Sequence, residues 1–306
     1  MSKMKQIESQ STQHIKHLKA SLTFMSAVPL AVMVIFTLMF YVGNTNNQEG
    51  TAQTATTTQV TPEVVASGLD TPWSMQFAPN GVMYFTERVG NVKVIENGQV
   101  RQILNIPQAA ESAEEGLQGL ALHPNFASNG WVYIYYTYNN NGLKNRLARF
   151  SVNPSTAAVT SAPIVLIDNI PGYRFHNGGR IKFGPDGKLY VATGAATPDT
   201  ISQDINSLGG KILRVNDDGS AAAGNPFNNR VWSLGHRNPQ GIAWHPTTGE
   251  MWITEHGPSS SAPYCCNDEV NRVVPGGNYG WPKYYGENGL DSTYNYFNIT
   301  HIKPLA

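Results

Sequence analysis

From residue 62 onward the chain alternates short apolar, aromatic runs with polar turns, a pattern of strands rather than helices. One phrase recurs four times: FAPNGVMYFTE (77–87), LHPNFASNGWVYIYYTY (122–138), FGPDGKLYVATG (183–194) and WHPTTGEMWITEHG (244–257). Each copy has an apolar residue, one further residue, a proline, a polar turn with glycine, then a strand rich in Tyr, Trp, Val and Ile. Proline pre-sets the turn, glycine supplies positive φ, and the aromatic strand is built to pack between neighbouring sheets. Pro79, Pro124, Pro185 and Pro246 lie 45, 61 and 61 residues apart. Strand repeats of that size predict an all-β fold, a β-propeller. A β-sandwich explains strands and turns but not four copies of one phrase. The copies use nearly all of the chain, so a closed four-bladed ring is one option, although wide blades usually come in larger rings. Residues 284–306 show no closing strand, and the expectation is a chain that stops before its ring closes.

The first sixty residues differ in kind. Leu22 to Val42 is an uncharged, mostly apolar run, long enough at ~1.5 Å per residue to cross a bilayer core. Lys3, Lys5, Lys16 and Lys19 all precede it, which keeps the N-terminus in the cytoplasm and exports the rest. Pro29 is tolerable in a membrane helix. A cleaved signal peptide is the rival reading; the long polar start, the long apolar run and the lack of an A-x-A site argue against it. Residues 43–61 are rich in Thr, Gln and Asn and read as a flexible tether. The expected order is therefore a cytoplasmic segment (1–21), a transmembrane anchor (22–42), a linker (43–61) and an extracytoplasmic propeller (62–306).

Composition adds exclusions. With 21 basic and 21 acidic residues the chain has no net charge, so neither nucleic acid nor an acidic polymer is an expected partner. Its two cysteines, Cys265 and Cys266, are adjacent, which rules out a disulfide framework and a metal-type spacing.

Polar segments just ahead of the second, third and fourth copies stand out: Glu114-Glu115-Gly116-Leu117-Gln118-Gly119-Leu120, Arg174-Phe175-His176-Asn177-Gly178-Gly179-Arg180 and Leu234-Gly235-His236-Arg237-Asn238-Pro239-Gln240-Gly241. A fourth group is Glu255-His256-Gly257-Pro258 with the later DEVN and GGNYGWP stretches (268–271 and 276–282). Equivalent points of a propeller are related by rotation about its axis, so these side chains are expected to converge at one end of the channel. Each has a plainer reading. His176 is then a turn histidine, Gln118 a strand cap, Arg237 an ion-pair partner of Glu255, and His236 and His256 supporting or surface residues. The co-occurrence of His, Arg, Gln and Gly at matching positions favours a site for an anionic ligand, because arginine offers a planar fork to carboxylates and neutral histidine is a general base near pH 7.

These motifs, EEGLQGLALHP, HNGGRIKFGPDGKLYV, LGGKILR, LGHRNPQG and DEVN…GGNYGWP, resemble the glucose/sorbosone dehydrogenase family, which includes the soluble aldose sugar dehydrogenases. The resemblance runs from about Val65 to Trp281. It implies a six-bladed propeller that binds pyrroloquinoline quinone (PQQ) and Ca²⁺ and oxidises an aldose at C1 to its lactone. By that resemblance His176 is the catalytic base, and Gln118, Arg237 and Asn238 contact PQQ, Arg237 also stabilising negative charge on the quinone. The carbonyls of Gly257 and Pro258 hold the Ca²⁺ beside the cofactor, and Glu269 and the Tyr279 carbonyl form a second, structural calcium site. The family often carries an acidic residue after the glycine of the TG turn, in support of the histidine. Here that place is Ala195, with Asp199 or Asp204 as substitutes. Family segments that add basic contacts to the PQQ carboxylates lie downstream of the matched motifs.

The leading expectation is a quinoprotein dehydrogenase with a small aldose as substrate. A non-catalytic cell-surface propeller is the alternative, and a calcium-dependent lactonase fits the HNGGR and GHRNPQG motifs poorly. The sugar and the electron acceptor are not legible. Cys265 and Cys266 are two small apolar residues in the plainest reading, but the anchor places them where disulfides persist. Mass spectrometry of unreduced, alkylated protein from its native compartment is expected to find a vicinal disulfide and no alkylated thiol; two alkylated thiols overturn that expectation.

Overall fold

The computed structural model describes residues 61–258 and 267–285. The expected anchor, the tether up to residue 60, and Cys265 and Cys266 fall outside the described residues. Among the described residues no helix is long and apolar enough to cross a membrane.

Strands and turns fall where the repeated phrase predicts them. The first sheet contains β1 (Pro72–Phe77), β2 (Met83–Glu87), β3 (Asn91–Glu96) and β4 (Gln99–Asn105). The second contains β5 (Leu117–Leu122), β6 (Trp131–Asn139), β7 (Leu143–Val152) and β8 (Val159–Pro171). The third contains β9 (Gly178–Phe183), β10 (Leu189–Thr193), β11 (Lys211–Val215) and β12 (Val231–Leu234). In the fourth, β13 (Pro239–Trp244), β14 (Met251–Glu255) and β15 (Glu269–Val273) are described. Every sheet is an antiparallel meander in chain order, and the first strands pack in sequence, β1 on β5, β5 on β9 and β9 on β13. This is a propeller arrangement, with four blades among the described residues.

The turn of each phrase is built as its residues dictate. Gly81, Gly130, Gly187 and Gly249 have φ of 85°, 62°, 70° and 70°, a region in which a Cβ is strained. A residue next to the turn proline caps each turn, the one after it in the first and third copies and the one before it in the second and fourth. Asn80 Oδ1 accepts from the Val82 N–H (3.3 Å), Asp186 Oδ1 from Lys188 (3.1 Å), and the ring nitrogens of His123 and His245 accept from Asn125 (3.0 Å) and Thr248 (3.1 Å). Two of the eight histidines are thus turn caps.

Burial between blades holds the fold together. The aromatic residue at the same point of each second strand meets a ring of the next blade edge-on: Tyr84 with Phe126 at 5.5 Å, Tyr133 with Phe183 at 5.2 Å and Tyr190 with Trp244 at 5.1 Å. Three apolar clusters follow, one at each junction between successive blades. Near the axis Arg180 of β9 donates to the Gln240 carbonyl on β13 (2.8 Å) and to Ser74 Oγ on β1 (3.1 Å), and its guanidinium lies 4.2 Å from the Trp73 ring centre. One side chain therefore ties three blades together.

Antiparallel pairing sets where the loops lie. A first strand begins where the second strand ends, as the pairs Thr193↔Gly178 and Glu255↔Pro239 show. The polar segments preceding β5, β9 and β13 and the one following β14 are therefore at the same end of the axis. Truncating an interlocking ring tests the frame: Tyr190→Ala is expected to lower unfolding free energy by about 3–5 kcal/mol in a denaturant melt, against almost no change for the exposed Tyr173→Ala.

Candidate active site

Four loops meet at that end: 114–116 entering β5, 174–177 entering β9, 235–238 entering β13, and 256–258 leaving β14. Glu114 joins the first three. Its carboxylate accepts the His176 backbone N–H (2.9 Å) and the Asn238 side-chain amide (3.4 Å), and its carbonyl accepts Gln118 Nε2 (2.9 Å).

His176 stands in left-handed backbone, with φ of 60°, a conformation that costs a non-glycine residue about 1–2 kcal/mol. The cost is offset locally. Buried Asn177 accepts the Tyr173 N–H (3.1 Å) and the Asn145 amide (3.1 Å), donates to the Tyr173 carbonyl (2.6 Å), and so closes the loop. Gly179, with φ of 102°, lies so near Gln118 that a Cβ there would press on its side chain. Burial pushes the His176 imidazole below its ordinary 6.5, Arg237 and His256 push the same way, and Glu114 and Asp199 oppose them. The ring is therefore neutral and able to accept a proton at pH 6.5 and above.

Arg237 is held by its backbone. Its N–H donates to the Glu255 carboxylate and its carbonyl accepts from Ala195 (2.7 Å). The guanidinium is not paired with Glu255 as the plainer reading had it: Nη1 donates to the His256 carbonyl (3.2 Å) and the group lies over the Trp281 ring, 5.2 Å from its centre. Glu255 instead bonds His236 Nδ1 (2.9 Å), and His236, completely buried, also contacts Ser233 Oγ (2.8 Å) and stacks on Tyr279 at 4.7 Å. His236 is thus a framework residue. Asn238 is largely committed too, its Oδ1 accepting from Gly178 (3.0 Å) and Gln240 (3.0 Å).

Three buried polar atoms beside these loops have no hydrogen-bond partner: Gln118 Oε1, Arg237 Nε and Trp281 Nε1. Leaving such an atom unsatisfied costs about 1–3 kcal/mol, and clusters of them are found where a ligand completes the bonding.

Against known proteins, the family model described as Glucose / Sorbosone dehydrogenase matches residues 69–298. The chain belongs to the glucose/sorbosone dehydrogenase family. It is 32% identical to quinoprotein glucose dehydrogenase B of Acinetobacter calcoaceticus, over 95% of this chain and 66% of that protein. It is 30% identical to the aldose sugar dehydrogenase YliI of Escherichia coli, over 73% of this chain and 62% of that protein. It spans just under two thirds of the length of these curated relatives. Among solved structures it is similar to the PQQ-bound aldose sugar dehydrogenase of Streptomyces coelicolor, with 36% identity, a TM-score of 0.69, and coverage of 80% of this chain and 70% of that one.

Within this member of the family, three of the residues expected to hold cations, Gly257, Glu269 and Tyr279, lie next to Arg237. The Gly257 N–H donates to Asp268 Oδ1 (3.0 Å), Pro258 is buried, and Gly257, Glu269 and Tyr279 line one narrow cavity with Arg237 and Trp281. Residues that the resemblance assigns to two separate calcium sites thus border a common space. Tyr279 is fixed by its N–H to the Leu234 carbonyl (2.9 Å) and by its hydroxyl to the Arg272 carbonyl (2.6 Å), and burial pushes that hydroxyl up to about 12. Among the described residues no three His, Cys, Asp or Glu side chains gather as metal ligands.

The place after the TG turn is filled by Ala195, fully buried. Of its two expected substitutes, Asp199 acts on both His176 and Arg237, whereas Asp204 faces Lys211 and accepts the Asn206 N–H (2.9 Å). Sequence reading assigned no role to Glu114, Trp281 or Lys211, although each lies in a quoted motif. The available signals were the doubled Glu of EEGLQG and a lysine that opens an apolar strand run in LGGKILR. Glu255→Ala is expected to destabilise the protein by about 3–5 kcal/mol, since it strands a buried histidine and a backbone N–H. Glu250→Ala, which breaks the exposed pair with Arg272, is expected to leave the melting curve nearly unchanged.

Proposed function

We propose that this chain forms part of a PQQ-dependent aldose dehydrogenase site, oxidising a sugar at C1 to its lactone. The observation that carries the reading is the trio of buried, unpartnered polar atoms beside a neutral histidine and a desolvated arginine. An anionic planar quinone with a ring N–H fits them, offering acceptors to Arg237 Nε and Trp281 Nε1 and a donor to Gln118 Oε1. Asn238 keeps an amide hydrogen for the same ligand. The carbonyls of Gly257 and Pro258 would hold Ca²⁺, and Glu269 with the Tyr279 carbonyl a second ion, because hard cations take oxygen ligands. When bound, PQQ supplies the two-electron acceptor and Ca²⁺ the Lewis acid.

The chain's own residues do the rest. His176 takes the proton of the C1 hydroxyl on its imidazole, which burial keeps neutral. Arg237, pinned by Glu255 and Ala195, holds a fixed positive charge where negative charge develops. Glu114 keeps the His176 loop in its left-handed turn. An N-terminal anchor at residues 22–42 would put this site on the outer side of the membrane, within reach of sugars.

His176→Gln is expected to cut sugar-dependent dye reduction by about 10²–10⁴-fold while PQQ binding, read by absorbance, persists. In the unsubstituted protein the acid limb of the rate profile is expected below pH 6.5, because the lowered affinity keeps the base form present there. Turnover unchanged in His176→Gln removes this residue from the reaction, and failure to bind PQQ with Ca²⁺ removes the reading.

A further inference from the structure

Lys211 opens β11 and is completely buried. Its ammonium donates to the carbonyls of Gly209 (2.6 Å), Ile201 (2.9 Å) and Ser202 (2.9 Å). Two of these acceptors belong to a 3₁₀ turn, Asp199–Gln203. That turn is also held from its far side. Ser202 Oγ contacts the carbonyls of Asp199 (2.8 Å) and Trp281 (2.7 Å), the Ser202 carbonyl accepts from Gly235 (3.0 Å), and Gln203 Nε2 donates to the Trp281 carbonyl (2.7 Å). The chain leading into it is pinned to both reactive loops, since Ala195 donates to the Arg237 carbonyl (2.7 Å) and Ala196 to that of His176 (3.3 Å). Asp199, three residues further on, carries a half-buried carboxylate whose charge acts on the same two residues.

We propose that Lys211 is a positioning residue: by gripping the 199–203 turn it sets where the Asp199 carboxylate stands beside His176 and Arg237. Ala195 offers no carboxylate, so the turn delivers the one that this segment contributes. An aliphatic side chain would fill the space without the cost of desolvating a charge, but it would leave three carbonyls without a donor. Burial pushes the ammonium down to about 7 against the pull of Asp204, and only the protonated amine has three hydrogens to give. Around His176 the charged groups are Glu114 and Asp199, which favour its proton, and Arg237 and His256, which oppose it. Glu114 is committed to the His176 N–H and Asn238, which leaves Asp199 as the carboxylate whose placement tunes the ring.

The catalytic meaning of this inference rests on the dehydrogenase reading, but its test does not. In the full chain without cofactor, the His176 imidazole is titrated by NMR, its signal assigned by its loss in His176→Gln. Asp199→Asn is expected to lower the midpoint by on the order of 0.5 in pH, the effect of one screened charge. Lys211→Met is expected to lower it in the same direction, and the double variant no further than Asp199→Asn alone. If Lys211→Met does not fold, Ser202→Ala, which loosens the same turn from its other side, takes its place with the same expected direction. A midpoint unmoved by Asp199→Asn overturns the proposal. So does a Lys211→Met protein, or its Ser202→Ala substitute, that melts earlier but titrates like the parent, since a purely structural role has that signature.

Discussion

The structure depends on the burial of each blade's face against the next. A β-sheet cannot stay in water with an apolar face exposed, and here the second-strand aromatic of one blade is driven into the following one: Tyr84 on Phe126, Tyr133 on Phe183, Tyr190 on Trp244. Each such ring contributes roughly 1.5–3 kcal/mol by burial alone. An exposed ion pair such as Arg272–Glu250 contributes a fraction of that. Apolar contacts therefore set the rotation between blades, and the polar loops are carried to wherever that rotation puts them.

Brought together, the loops bond first to each other. Glu114 spans three loops, Glu255 serves His236 and the Arg237 backbone, and Asn177 closes the histidine turn. These fully satisfied groups are the rigid part of the site. What the network leaves over is small and specific: one amide oxygen, one guanidinium N–H and one indole N–H. A frame that satisfies most of its own buried groups and leaves three atoms open beside its loops is preorganised for a ligand with matching polarity.

His176 shows the balance of forces most directly. Burial and the positive charge of Arg237 both disfavour its protonated form, while two carboxylates favour it. Desolvation wins, so the ring is a base near neutrality, and the carboxylates decide how far below 6.5 it goes. Arg237 faces the same desolvation, opposed by Asp199, Glu114, Glu255 and Asp268, and remains charged because guanidinium holds its proton too strongly to lose it.

Local information was enough for the architecture. The Pro-turn-Gly-aromatic phrase specifies turn geometry and strand composition within a dozen residues, so the blades and the end of the propeller where the motifs gather were legible. His176, Arg237, Gln118 and Asn238 were legible as a set because they stand at matching repeat positions, and the structure joins His176, Gln118 and Asn238 through Glu114, with Arg237 next to Asn238 in the chain. The bonds each one makes were not legible, because those partners lie far away in the chain. Asn238 meets Glu114 across 124 residues, Glu255 takes His236 rather than the Arg237 guanidinium, and Asp199 rather than Asp204 reaches the site. A short-range pattern encodes torsion angles and which face is apolar. The pairing of charges and the fate of each buried hydrogen bond depend on distances between blades, and those exist only once the blades have packed.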